Sequence, residues 1–178
     1  MRKKSFPLSK VYTLLEPGPV VLLTTADKGK ENIMTMSWHT MMEFEPPQIG
    51  CIISDNNCSF KTLKKTRECV INIPTSKIAK KVVAIGNSHG DKTDKFKRFC
   101  LTSTPASQVK APLIEECYAN LECRVIDTRM VNQYGLFVVE VVKAWTDSSV
   151  KNPKTIHHRG YGKFMVAGKT MALPSKMK

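Results

Sequence analysis

Residues Ser54 to Thr62, SDNNCSFKT, gather hydroxyls, amides, a thiol and a lysine between two apolar runs. Phe60 and Leu63, three apart, form the only hydrophobic stripe that follows, which predicts a short helix over Ser59–Thr66. With Ser59 as its N-cap, the first N–H groups of that helix lack intrahelical acceptors and point outward beside Lys61 and Thr62. A helix N-terminus next to a cationic side chain suits an anion such as a phosphate. A capped surface helix with no ligand has the same local sequence, so the chemistry rests on the elements around it.

A second set of polar residues is less productive. Glu43 and Glu45, read as sharing one strand face, make a polar edge rather than an acid–base pair. The four histidines, His39, His89, His157 and His158, have no cysteine or carboxylate at metal-ligand spacing, so no metal site is expected. Gly162 to Thr170, GKFMVAGKT, has five residues between its glycines where a P-loop needs four, and no long helix follows. Gly160-Tyr161-Gly162 lacks the third glycine and the βαβ frame of a dinucleotide fingerprint. No G-x-S-x-G elbow or local cysteine–histidine signature marks a nucleophile, and no catalytic residue is assigned.

The 178 residues are most simply one domain, 1–178, and 42% hydrophobic residues suffice for a buried core. No apolar run approaches the roughly 20 residues of a membrane span. The basic start, Met1 to Lys10, is not followed by the apolar segment of a secretory signal, so a cytoplasmic protein is expected. The six cysteines contain no C-x-x-C pair and are read as free thiols, with Cys51, Cys69 and Cys123 as small buried hydrophobes. Twenty-eight Lys and Arg against fifteen Asp and Glu give a formal charge of +13, which favours anionic partners. A basic nucleic-acid-binding barrel, the alternative that this charge raises, would interleave stacking aromatics with these cations; the strands display aliphatic residues, Met and Cys instead, so nucleic acid is not expected as a partner.

The elements that must position Ser54–Thr62 follow from periodicity. Val20–Thr25, introduced by Pro17-Gly18-Pro19, and Asn32–Trp38 form a hairpin about the turn Asp27–Lys30. Gln48–Ser54 is a third strand, and Glu68–Ile73 a fourth that ends at Pro74. Ile78, Val82 and Ile85 recur at helical spacing, predicting a helix over Lys77–Ile85 capped by Thr75 or Ser76. Asn87–Thr93 has loop composition, and Asp94–Phe99 supplies one more helical turn. Ala119–Ile126 alternates cleanly, Leu136–Trp145 is long and apolar, and Phe164–Val166 is a short late strand. The fold class is therefore mainly β with inserted short helices, a closed or nearly closed antiparallel barrel.

Taken in order, several segments resemble the flavin reductase-like, or flavoredoxin, family of FMN-binding split barrels. They are PGPVVLLTT (Pro17–Thr25), NIMTMSWHT (Asn32–Thr40), PPQIGCIIS (Pro46–Ser54), NNCSFKTLKKTRECVINIPT (Asn56–Thr75), DKTDKFKRFCLT (Asp91–Thr102), APLIEE (Ala111–Glu116) and ANLECRVI (Ala119–Ile126). The resemblance implies an FMN-binding split β-barrel that acts as a homodimer, with FMN as cofactor near the dimer interface. It implies that Asn57, Cys58, Ser59, Lys61 and Thr62 hold the phosphate. Thr35, Met36, Ser37, Trp38 and His39 would line the isoalloxazine, largely through backbone groups, with Ser54 at the ribityl chain or ring and Lys95 as a further contact.

The implied function is an oxidoreductase that passes hydride or electrons through FMN to an acceptor, the donor being NAD(P)H or a protein. A flavin carries this chemistry itself, so the missing triad is expected. A split barrel without redox activity is the alternative within the fold. Many relatives carry a histidine just before the strand matching Leu136–Trp145; here the residues are Val131-Asn132-Gln133-Tyr134-Gly135, a departure that favours a protein donor. The basic segment His157–Phe164 is expected to close over the cofactor with Arg159 or Tyr161 near it.

Overall fold

The computed structural model describes residues 3–15 and 18–174; Pro17, the first residue of the expected turn, lies outside them. In chain order the elements are β1 (Lys3–Phe6), α1 (Tyr12–Leu15), β2 (Val21–Asp27), β3 (Lys30–Met36), β4 (His39–Phe44), β5 (Pro47–Ile52) and α2 (Cys58–Thr66). There follow β6 (Glu68–Ile73), α3 (Ala79–Gly86), α4 (Lys95–Arg98), β7 (Ser103–Thr104), β8 (Leu113–Ile114) and β9 (Ala119–Asp127). The last are α5 (Val131–Tyr134), β10 (Leu136–Asp147), β11 (Ile156–His158) and β12 (Phe164–Val166). Among the described residues no helix is long and apolar enough to cross a membrane.

The main sheet is antiparallel in the order β3-β2-β6-β9-β10-β5-β4, with β1 also paired to β10. Twelve-residue β10 organises it: Leu136–Glu140 pairs with β5, Ala144–Asp147 with β1, and β9 flanks most of its length. Register shifts between Val138/Val139 and Val141/Lys143, and in β4 between Met41/Glu43, increase local twist and help the sheet curl. The two sheet ends, β3 and β4, are consecutive in the chain, joined by Ser37 and Trp38, and the Trp38 carbonyl accepts the Ile52 N–H at 2.9 Å. The result is a split barrel whose seam lies at Ser37–Trp38.

Burial explains the sequence pattern. Every residue from Val20 to Ala26 is buried because β2 is covered on both faces. Val21 and Leu23 enter the barrel interior with Ile71, Leu121, Phe137 and Val139, while Val20 and Leu22 meet Val82, Ile85 and Phe96 of α3 and α4. Cys51, Cys69 and Cys123 belong to the interior, and burial pushes the Cys51 and Cys123 thiols well above their ordinary range. All six cysteines are free, with Cys58 partly exposed and Cys100 exposed.

Several boundaries move. The strand expected over Asn32–Trp38 ends at Met36, because the chain leaves the sheet at the seam. The helix expected from Ser59 starts at Cys58 with Asn57 in the N-cap position, φ −81° and ψ 135°. Ser59 cannot cap because it is buried in the first turn, where its hydroxyl accepts the Asn32 amide N–H at 2.9 Å. The helix expected over Lys77–Ile85 is α3, preceded by a 3-10 turn at Ser76–Ile78. Glu43 and Glu45 do not share a strand face: Glu43 lies on β4, and Glu45 lies in the turn beyond it, before a cis bond to Pro46.

Candidate functional site

Helix α2 stands where two cavities meet. Its packing is set by Leu63, fully buried, and by Phe60, whose ring meets Phe137 edge-on with centroids 5.3 Å apart. Its far end stops at Arg67, which adopts a left-handed conformation (φ 62°) and returns its N–H to the Leu63 carbonyl at 2.9 Å. The near end is thereby aimed between β3 and the segment after β5. Helix geometry leaves the N–H groups of Cys58 and Ser59 without i−4 acceptors there.

The first cavity, about 680 Å³, is lined by Met34–Trp38, Ile52–Asp55, Asn57, Phe60 and Val131–Gly135. That volume is within the ~300–1,000 Å³ typical of small-molecule sites. Its floor is apolar: Met36 and Ile53 are buried, whereas Trp38 at 69% and Tyr134 at 55% exposure stand at the mouth. Thr35 turns its hydroxyl away to donate to the Val82 carbonyl at 2.6 Å, so its backbone faces the cavity. The wall Val131–Gly135 is pinned at both ends. Val131 is buried, and the Gly135 carbonyl accepts the Ile53 N–H at 2.9 Å. Gly135 has φ 67°, and a Cβ there would lie 2.5 Å from the Ile53 carbonyl oxygen, so only glycine permits this approach.

The second cavity, about 440 Å³, is polar, with Asp27, Lys30, Asn32, Asp55–Cys58, Lys61, Thr62 and His89–Asp91 around it. Asp55 and Asn57 line both cavities, so the two adjoin across the start of α2. A cavity with an apolar floor next to a helix N-terminus with a lysine suits a flat ring tethered to an anion.

Of the residues singled out from sequence, Thr35, Met36, Ser37, Trp38, Ser54 and Asn57 line the first cavity, and Asn57, Cys58, Lys61 and Thr62 the second. His39, Ser59 and Lys95 line neither. Ser59 instead ties α2 to Asn32. His39 turns toward α1 and donates its Nε2–H to the Pro19 carbonyl at 2.7 Å. Burial lowers its pKa below the ordinary value, against that hydrogen bond, so the ring is neutral and its buried Nδ1 has no partner among the described residues. Lys95 is 5% exposed; its ammonium donates to the Ile33 carbonyl at 2.8 Å and the Ile85 carbonyl at 3.1 Å, joining α4 to β3 and α3. Burial lowers its pKa, with Cys58 opposing. The segment His157–Phe164 forms the β11–β12 hairpin, and neither Arg159 nor Tyr161 lines either cavity.

Sequence reasoning noted Val131–Gly135 as a departure bearing on the donor but assigned none of these residues to the cavity they wall, and it missed Asp55 and the loop residues His89 and Asp91. The loop reaches the site through tertiary contact: Cys58 Sγ lies 3.4 Å from His89 Nδ1, which lies 3.2 Å from Asp91 Oδ1. Desolvation acts to raise the Asp91 carboxyl, but the charge and hydrogen bond of His89 outweigh it and hold it below the usual range.

Comparison with known proteins agrees with this architecture. The fold is similar to that of an FMN-binding domain of a flavin reductases-like enzyme from Shewanella baltica, with a TM-score of 0.91 and 24% identity over 97% of this chain and 98% of that one. It is also similar to flavoredoxin of Desulfovibrio vulgaris (Miyazaki F), with a TM-score of 0.82 and 22% identity over 92% and 94% of the two chains. An uncharacterized protein of Archaeoglobus fulgidus is 32% identical over 75% of this chain and 79% of its own. Residues 14–165 match the profile of the flavin reductase like domain. With that match running from α1 to β12 and both cavities inside it, the chain belongs to the flavin reductase like domain family.

Proposed function

We propose that this chain is an FMN-dependent oxidoreductase domain. The observation that carries the reading is the pair of adjoining cavities: one with an apolar floor and polar walls, the other at the N-terminus of a nine-residue helix beside Lys61 and Thr62, with Asp55 and Asn57 shared between them. Bound FMN would supply two-electron redox chemistry, linking a donor to an acceptor. The chain's own residues bind and orient. The Cys58 N–H at the start of α2, with the Lys61 ammonium and the Thr62 hydroxyl, holds a dianionic phosphate. Backbone groups of Thr35–Trp38 hold the polar edge of the ring, while Met36, Ile53 and Phe60 exclude water from beneath it.

Two features support a homodimer. Trp38, Met42, Phe44 and Ile52 are all more than 40% exposed along β4, β5 and the seam, an apolar strip that a second copy of the chain would cover. Ile52 and Trp38 also line the first cavity, so such a partner would border it. Six free cysteines fit a reducing compartment, the cytoplasm.

The test is a titration of purified protein with FMN, followed by visible absorption. A yellow complex forming at micromolar FMN is expected, and replacing both Lys61 and Thr62 with Ala weakens it by about 1–3 kcal/mol through lost charge-assisted hydrogen bonds. A colourless protein that takes up no FMN at that concentration overturns the reading. The donor is then read by stopped flow: rapid bleaching by NADH or NADPH identifies a nicotinamide-fed reductase. Reduction only by a ferredoxin-like protein identifies an electron carrier.

A further inference from the structure

Cys58, His89 and Asp91 bring a thiol, an imidazole nitrogen and a carboxylate oxygen within 4.8 Å of one another. Both Cys58 Sγ (3.4 Å) and Asp91 Oδ1 (3.2 Å) approach the same atom, His89 Nδ1. One nitrogen offers a single proton or a single lone pair, so it satisfies one of these neighbours and leaves the other. A cation satisfies all three together. Around a tetrahedral zinc-type ion, bond lengths of ~2.3 Å to sulfur and ~2.0–2.1 Å to nitrogen and oxygen put sulfur and nitrogen roughly 3.6 Å apart and nitrogen and oxygen roughly 3.3 Å apart. The observed 3.4 and 3.2 Å lie close to those edges.

The donors are also held in place by the fold. Cys58 is fixed in the first turn of α2, which Asn32 ties to β3 through the Ser59 hydroxyl. The loop carrying His89 and Asp91 lies down on the same Asn32: Gly90 is buried, and a Cβ there would sit 2.0 Å from the Asn32 side-chain oxygen. A glycine between the two loop donors is what lets them reach the helix.

We propose that Cys58, His89 and Asp91 form a binding site for a thiophilic divalent cation of the zinc type. A sulfur–nitrogen–oxygen donor set favours such an ion over magnesium or calcium, which prefer all-oxygen sites. All three donors line the 440 Å³ cavity with Lys61 and Thr62, so the remaining coordination position opens on it. It takes water, or one oxygen of a phosphate when a phosphate is present. This inference does not rest on the flavin reading.

Tag-free protein, treated with chelator and then dialysed, is titrated with zinc chloride alone and, in parallel, cobalt(II) chloride alone. One equivalent of either metal is expected to bind, with a thiolate-to-cobalt charge-transfer band. Excess magnesium does not displace it. Cys58→Ser abolishes the band, and His89→Gln and Asp91→Asn each weaken uptake at least tenfold, whereas Cys100→Ser at the other exposed thiol changes nothing. Absence of the band at one equivalent, or uptake unaltered in both Cys58→Ser and His89→Gln, overturns the proposal; circular dichroism confirms that each variant is folded. Separate FMN titrations keep the readings apart: cation loss with normal FMN uptake overturns only the metal site, and the reverse overturns only the flavin reading.

Discussion

Glu122 and the Cys58–His89–Asp91 cluster are both concentrations of polar atoms, and they are completed to opposite degrees. The Glu122 side chain is fully buried, yet its carboxylate accepts the Ser107 and Gln108 N–H groups at 3.1 and 2.5 Å, the Ser107 hydroxyl at 3.1 Å and the Trp145 indole N–H at 2.7 Å. Lys95 is a smaller case of the same kind, an enclosed ammonium with two carbonyl acceptors. At Cys58, His89 and Asp91 the acceptors outnumber the protons between them, and the group opens on a cavity. A polar group that the fold completes serves the fold, because leaving it unpaired in the interior is costly. One that the fold leaves incomplete at an opening is available to a ligand.

Mutations that empty each cluster sharpen this contrast. The largest effect is expected for Glu122→Ala, which removes the buried acceptor of the Ser107, Gln108 and Trp145 N–H groups and leaves a cavity, and should cost about 3 kcal/mol in urea unfolding; a loss below about 1 kcal/mol would break the comparison. Lys95→Met should cost about 2 kcal/mol by removing the ammonium that joins the Ile33 carbonyl to the Ile85 carbonyl, which keeps only its Ser88 donors. A half-completed group gives a pH signal instead. His39 is kept neutral by burial, against the Pro19 hydrogen bond, so below its unfolded pKa the unfolded chain binds more protons than the native one. Its contribution is fully present above the unfolded value of 6.5 and is lost as pH falls through the lower folded value. His39→Gln should therefore flatten the decline of the urea midpoint between neutral pH and about pH 5. The smallest effect is expected for Cys58→Ser and His89→Gln, which should leave the urea midpoint unmoved when no ligand is present.

The parts of the fold readable from sequence were those where burial imposes a period. Ala119–Ile126 alternates in residue type and lies within β9, but Ala119–Cys123 are buried on both faces: Asn120 and Glu122 are covered and hydrogen-bonded there rather than exposed. Val20–Thr25 is continuously apolar because β2 is covered on both sides, and it too was found. β4 carries no such pattern: most of its residues are exposed at the sheet end, and only a polar edge was read there. At the site, local sequence located the start of α2 to within a residue, since hydroxyls and amides cluster at helix ends. It misassigned Ser59 because the competing bond comes from Asn32, which local patterns do not register. The burial of Lys95 and the meeting of Cys58 with His89 and Asp91 were invisible for the same reason: both depend on how the segment between α3 and α4 lies against β3 and α2.

The clamp of Gly135 on Ile53 divides the labour within the first cavity. Val131 and Gly135 anchor a short bridge to the barrel, and the three side chains it carries, Asn132, Gln133 and Tyr134, are all exposed. Exchanging those three reshapes the entrance without disturbing the frame beneath, so selectivity toward a second molecule can drift while the scaffold stays constant. The barrel thus comes with an interchangeable faceplate, and engineering of the cavity's entrance should begin there.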